Sequence, residues 1–254
     1  MGAEKATATN TLIRTRMKRS IGTPHTDSMA VLMRLMEFSD STLPTGGFSF
    51  SCGLETAVAG GLVFDAATLE EYLRDAVRQS QHTDLIAMLH ARRACLAGDY
   101  ESLLAADSAA WLCKLNDELR TMTSRMGRKL GELAVQISGD ATARRWTADI
   151  AAGRTHGTYA AAQGSVFGAC GADERQAAVS LLYGAASVIL GAALRCMRVS
   201  HIDTQRILWR LAGDAGRMYD EVSGATLDNI ENFSPQLDIL AAMHEKGTSR
   251  MFMN

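Results

Sequence analysis

The chain has 254 residues, 47% hydrophobic and 21% charged, with a formal net charge of −2. That is ample apolar material for a soluble core. The charge is also unevenly placed: residues 1–28 hold Lys5, Arg14, Arg16, Lys18 and Arg19 against Glu4 and Asp27, a net of +3, which leaves −5 on the rest. A mildly acidic body excludes nucleic acid as the main partner, because phosphate binding needs clustered positive charge.

Residues 1–28 are Thr-rich and basic with few apolar anchors, the composition of a disordered tail. Transit peptides share this bias, but no apolar run precedes a cleavage-like site, so no secretory signal is expected. From residue 29 the pattern becomes helical. Met29, Leu32, Met33 and Met36 fall at i, i+3, i+4, i+7, an amphipathic stripe. Leu69, Tyr72, Leu73, Ala76 and Val77 repeat it, with Thr68 and Glu71 as a capping-box candidate at the start. Leu85, Met88 and Leu89 continue to a stop at Gly98. Further stripes cover Leu115–Ile137, Ala141–Ala151, Thr158–Ala169, Glu174–Met197 and Thr204–Tyr219. A last helix is expected from near Pro235 to before Gly247. Pro24, Pro44 and Pro235 are the only prolines, so residues 45–234 contain none, which suits helices that proline would break. The expected fold is all-α, a single-domain bundle of about ten helices over residues 29–254. The longest apolar run, Leu181–Leu194, is shorter than the roughly 20 residues that span a bilayer. It is expected to be a buried central helix, with Gly184 and Gly191 permitting close helix approach, and no membrane partner is expected.

Enzyme signatures are missing. There is no phosphate-binding Gly-rich loop, no dinucleotide fingerprint, no G-x-S-x-G elbow. His244-Glu245 opens an H-E-x-x-H pattern, but Thr248 stands where the second histidine belongs. His82 and His90 are eight positions apart, too far for one small metal site. The five cysteines are odd in number and widely spaced without C-x-x-C, as expected of reduced thiols in a cytoplasmic protein. Neither a catalytic residue nor a metal ligand is assigned, and no stably bound cofactor is expected.

Three stretches depart from simple core patterning. In Ser39–Glu55, Pro44, Gly46 and Gly47 interrupt the helical pattern and Phe48 and Phe50 follow. This is either a tight turn whose aromatics fold inward or a loop presenting them to a partner. In Arg125–Leu133, Arg125, Arg128 and Lys129 form a basic helix face, and Gly127 and Gly131 are spaced for close packing. At the C-terminus, Arg250, Met251, Phe252 and Met253 have the composition of an interface anchor, although ends also fray.

These stretches, in this order, resemble the UreF-type urease accessory proteins. The matching segments are Asp40–Glu55 (D-S-x-L-P-x-G-G-F-S-x-S-x-G-L-E), Met126–Leu133 (M-G-R-x-L-x-x-L), and Leu237–Glu245 with Ser249–Phe252. The small-residue segment Thr155–Gly171 lies between them. Phe50 stands where the family often has His, and residues 1–28 match nothing in it. The resemblance implies an all-α, dimerising, non-enzymatic adaptor for nickel insertion into urease. Its implied partners are a UreD/UreH-type protein, the GTPase UreG and apo-urease, with nickel handled by the assembled complex. The implied partner-binding residues are Pro44, Gly46, Gly47, Phe48, Phe50, Glu55, Arg125, Arg128, His244, Glu245, Ser249, Arg250, Met251 and Phe252. An alternative is direct regulation of the UreG GTPase through an exposed arginine, with Arg125, Arg128 and Arg250 as candidates.

Overall fold

In the computed structural model, residues 27–232, 234–245, 251 and 252 are described. The expected N-terminal tail therefore lies almost wholly outside the described residues. The chain winds through α1 (Ser28–Ser39), α2 (Leu54–Ala59), α3 (Ala66–Ser80), α4 (Ile86–Ala97), α5 (Tyr100–Leu112) and α6 (Asp117–Ser138). It continues through α7 (Ala141–Ala151), α8 (Tyr159–Cys170), α9 (Glu174–Cys196), α10 (His201–Ala212), α11 (Ala215–Val222) and α12 (Pro235–Glu245). A π-turn, Gln81–Leu85, joins α3 to α4, so these twelve segments form eleven separate helices. The described residues contain no strand, and the all-α expectation holds.

The innermost element is α8, where ten of twelve residues are buried. Its alanines and glycines allow α4 to lie directly against it. A Cβ at Gly164 would sit 2.4 Å from the Met88 carbonyl oxygen. Side-chain-free contact at this spacing lets two backbones share one dense layer. Around this pair α3, α5, α6, α7 and α9 contribute to a contiguous core that includes Leu69, Leu89, Leu130, Trp146, Phe167 and Leu190.

Caps set the helix boundaries. Asp65 accepts from the Thr68 N–H at 2.8 Å, and Thr68 returns the bond through its hydroxyl. The capping box therefore begins at Asp65, with Thr68 as its inner member rather than its first. The single helix expected over Thr204–Tyr219 is two, α10 and α11, broken at Gly213–Asp214. Helix α5 and the short α2 lacked a strong enough stripe to be anticipated.

Two expectations are inverted. Met29, Leu32, Met33 and Met36 are exposed, and α1 instead buries Val31, Leu35 and Phe38. Periodicity locates a helix, but both faces of α1 are apolar. Gly184 and Gly191 of α9 meet no heavy atom within 4 Å of a built Cβ, so among the described residues no helix packs closely there. Nevertheless α9 is the one helix among the described residues long and apolar enough to cross a membrane, and more than half of its most apolar stretch is buried.

Candidate functional site

The first and last sequence motifs meet at Glu55. The turn before α2 puts Cys52 at φ 53° and Gly53 at φ 82°, both left-handed. Cys52 is the only non-glycine with positive φ among the described residues, and the Tyr72 hydroxyl holds it by donating to its carbonyl at 2.6 Å. This turn sets Glu55 in the first turn of α2, where the helix dipole favours a carboxylate.

Glu55 Oε2 lies 2.9 Å from His244 Nε2, and His244 Nδ1 lies 3.0 Å from Glu118 Oε2. His244 sits in the last turn of α12, Glu118 in the first turn of α6, and the histidine is buried. Carboxylates only accept, so an imidazolium donates to both and a neutral ring to one. The two carboxylates face opposite ring nitrogens and so do not converge on one ion. Glu55 also accepts the backbone N–H of Met251 at 2.8 Å and of Phe252 at 3.2 Å. Burial pushes its carboxyl up. The Met251 N–H, His244 and the Phe252 N–H outweigh that and hold it below the usual range.

Arg195, near the end of α9, completes the cluster. Its guanidinium lies 3.8 Å from the Phe48 ring centroid and 4.1 Å from that of Phe252, within cation–π range of both. Phe252 is buried, while Phe48 is 74% and Met251 62% exposed. The Pro44–Glu55 loop divides between inward and outward side chains. Phe50 and Gly47 fold inward, whereas Pro44, Gly46 and Phe48 face outward. The side chain of Glu245, and all of Ser249 and Arg250, lie outside the described residues.

The basic stretch on α6 is a separate surface. Arg125 and Arg128 are exposed and line an open groove of about 280 Å³ with Thr121, Ser124, Lys129 and Glu132. The opposite face carries the two glycines, and the chain itself fills the space they leave. A Cβ on Gly127 would fall 2.2 Å from the Gly157 carbonyl oxygen, and one on Gly131 would fall 2.9 Å from the Thr147 side chain. The 155–158 loop is held there by Asp107, which accepts from the backbone N–H groups of His156, Gly157 and Thr158.

A cavity of about 150 Å³ lies between α3, α6, α9 and α12. The π-turn directs Asp84 to its wall, 2.7 Å from Lys114 Nζ. Burial alone would lower the Lys114 ammonium, but Asp84 carries it above its ordinary value. Cys52, on the same wall, is raised to about 11 by burial. Asp238 also lines the cavity and is raised by burial. No group of three or more His, Cys, Asp or Glu side chains among the described residues is arranged to hold a metal ion.

Glu118, Arg195, Asp107, Asp84 and Lys114 were not singled out from the sequence. Arg195 carried a usable signal, a basic residue ending a long apolar helix. Glu118 looked like any acidic residue of a first helical turn.

The UreF family profile matches residues 63–212. The chain is 46% identical over 227 residues to urease accessory protein UreF 1 of Brucella melitensis, covering 89% of this chain and 94% of that protein. It is 41% identical over 223 residues to UreF of Photorhabdus laumondii, and 39% identical over 223 residues to UreF of Yersinia pseudotuberculosis. Each of those matches covers 88% of this chain and 98% of the relative. With matches of this length joined to an all-helical fold, the chain belongs to the UreF family of urease accessory proteins, which are non-catalytic and act in assembly of the nickel metallocentre of urease.

Proposed function

We propose that this protein acts in the cytoplasm as an adaptor, joining a UreD/UreH-type protein, the GTPase UreG and apo-urease in one activation complex. The supporting observation is the convergence of the family's first and last motifs on Glu55. There Phe48 and Met251 remain exposed beside a fixed charge cluster. In this reading Pro44, Gly46, Phe48, Glu245, Ser249, Arg250 and Met251 form the partner-facing end, with Gly47, Phe50, Glu55, His244 and Phe252 supporting it from inside. Nickel is handled by the assembled complex, with no cofactor stably bound to this chain.

The test is co-purification. Tagged protein in a urease-producing cell should capture the UreD/UreH-type and UreG partners, and its loss should abolish urease activity at ordinary nickel concentrations. Capture of neither partner would sink the reading.

We also propose a homodimer. Met29, Leu32, Met33 and Met36 on α1, with Val179 and Tyr183 on α9, leave apolar side chains in water that a second copy would cover. The second functional reading is direct regulation of UreG by an arginine. The exposed groove with Arg125 and Arg128 favours it, and Arg250 belongs to the same set. Single alanine variants of the three, compared for GTP turnover by UreG, decide it: unchanged hydrolysis in all three would exclude an arginine contribution.

A further inference from the structure

The contacts at Glu55 have the form of a binding site with its ligand in place. One carboxylate accepts two consecutive backbone N–H groups, from Met251 and Phe252. One guanidinium lies between an aromatic ring of the site, Phe48, and an aromatic ring of the bound segment, Phe252. Main-chain hydrogen bonds read no side chain, so selectivity rests on the single buried ring. Met251, beside it, points to solvent. The His244–Glu118 bridge holds Glu55 from the other side.

The apolar hold on the neighbouring helix α12 comes from Ala241 and the partly buried Leu237 and Leu240. Ile239 and Met243 of α12 are exposed, and Ala241 is the buried apolar residue among those described there. Its other buried side chains, Asp238 and His244, are attached by polar contacts to Gln79 and to Glu55 and Glu118. The net gain from each such bond is modest, because water takes its place when the contact opens.

We propose that Phe48, Glu55 and Arg195 form a peptide-binding site for a short extended segment with two free consecutive backbone N–H groups and one aromatic side chain. The chain's own Met251–Phe252 is its resident, exchangeable occupant. Any segment of the same chemistry competes for the site, and the tail presents Phe252 outward only when displaced. This inference concerns the isolated chain and does not depend on the adaptor role.

The test uses a fluorescent peptide, TSRMFMN, corresponding to residues 248–254. The full chain carrying Phe252→Ala should bind it at least about tenfold more tightly than the unaltered chain, whose tail competes at high effective concentration. Replacing the peptide's phenylalanine by alanine should weaken binding at least about tenfold. Equal affinity of the two proteins, absence of binding, or indifference to the peptide's phenylalanine would each overturn the proposal. Should Phe252→Ala fail to fold, amide exchange in the unaltered chain decides. The Met251 and Phe252 amides should be protected, and excess peptide should remove that protection. Protection that persists at saturating peptide, or that is absent from the start, refutes an exchangeable occupant.

Discussion

Asp107 accepts two hydrogen bonds from Thr158, one from its N–H and one from its hydroxyl, both at 2.6 Å, and neither residue has any exposed surface. The carboxylate also takes the N–H groups of His156 and Gly157, each at 2.9 Å, and the hydroxyl of Thr155. A loop with no regular structure thus has its backbone donors met by one side chain from α5.

Removing that side chain strands the buried N–H groups of Gly157 and Thr158 and the Thr158 hydroxyl at once. Asp107→Ala should cost on the order of 4 kcal/mol, since each unmet buried donor costs about 1–3 kcal/mol. For a chain of this size the melting temperature should fall by roughly 8–16 °C. Thermal unfolding followed by circular dichroism measures it. A shift of under about 3 °C would mean that water replaces the carboxylate.

The same loop presses on α6 at Gly127, where an added Cβ would meet backbone atoms that cannot rotate away. Gly127→Ala should destabilise by about 1–3 kcal/mol or more through overpacking. Gly216→Ala on α11 makes the matched control. Its Cβ has only Arg175 Nη1, at 3.8 Å, for company, and the better helix former should add about 0.5–1 kcal/mol. Opposite signs in denaturant titrations are expected.

Glu55 and Asp238 should give opposite pH signatures. The Glu55 carboxyl is lower folded than unfolded. Its stabilisation is therefore present above the ordinary carboxylate range and lost as pH falls through the folded value. Asp238 is raised by burial, so the folded state binds its proton more tightly and stability declines as pH rises past the ordinary range. Glu55→Gln should flatten the acid limb of a stability–pH profile. Asp238→Asn, which keeps an acceptor for Gln79, should stabilise the protein at neutral pH. Profiles that coincide with the parent would refute both assignments.

If a second copy covers α1 and α9, charges placed there should separate the copies without unfolding them. Met33→Asp or Tyr183→Asp should lower the mass seen by light scattering to that of one chain, with helicity unchanged, because Met33 is 71% and Tyr183 46% exposed. A single-chain mass for the parent protein would refute the dimer, as would a dimer that survives both variants.

Local chemistry written along the chain was legible at once. The absence of proline from 45–234 and the 3.6-residue stripes specify helices wherever they form. Missing ligand and nucleotide motifs, with three motif-length segments, pointed to a non-catalytic UreF-type protein. All of these are properties of neighbouring residues, and neighbours are what a sequence states directly. Which face of an apolar helix turns inward is not such a property. α1 buries Val31, Leu35 and Phe38 and leaves its methionines outside, a choice set by the surfaces of α8 and α9. Likewise the glycines of α6 are filled by this chain's own loop and α7, while those of α9 face open space. The Glu55 cluster draws on α2, α6, α9, α12 and the tail, with His244 and Glu55 separated by 189 positions. Only the folded chain decides that these charges and rings meet, because the energy that joins them depends on distances of a few ångströms that no local pattern encodes.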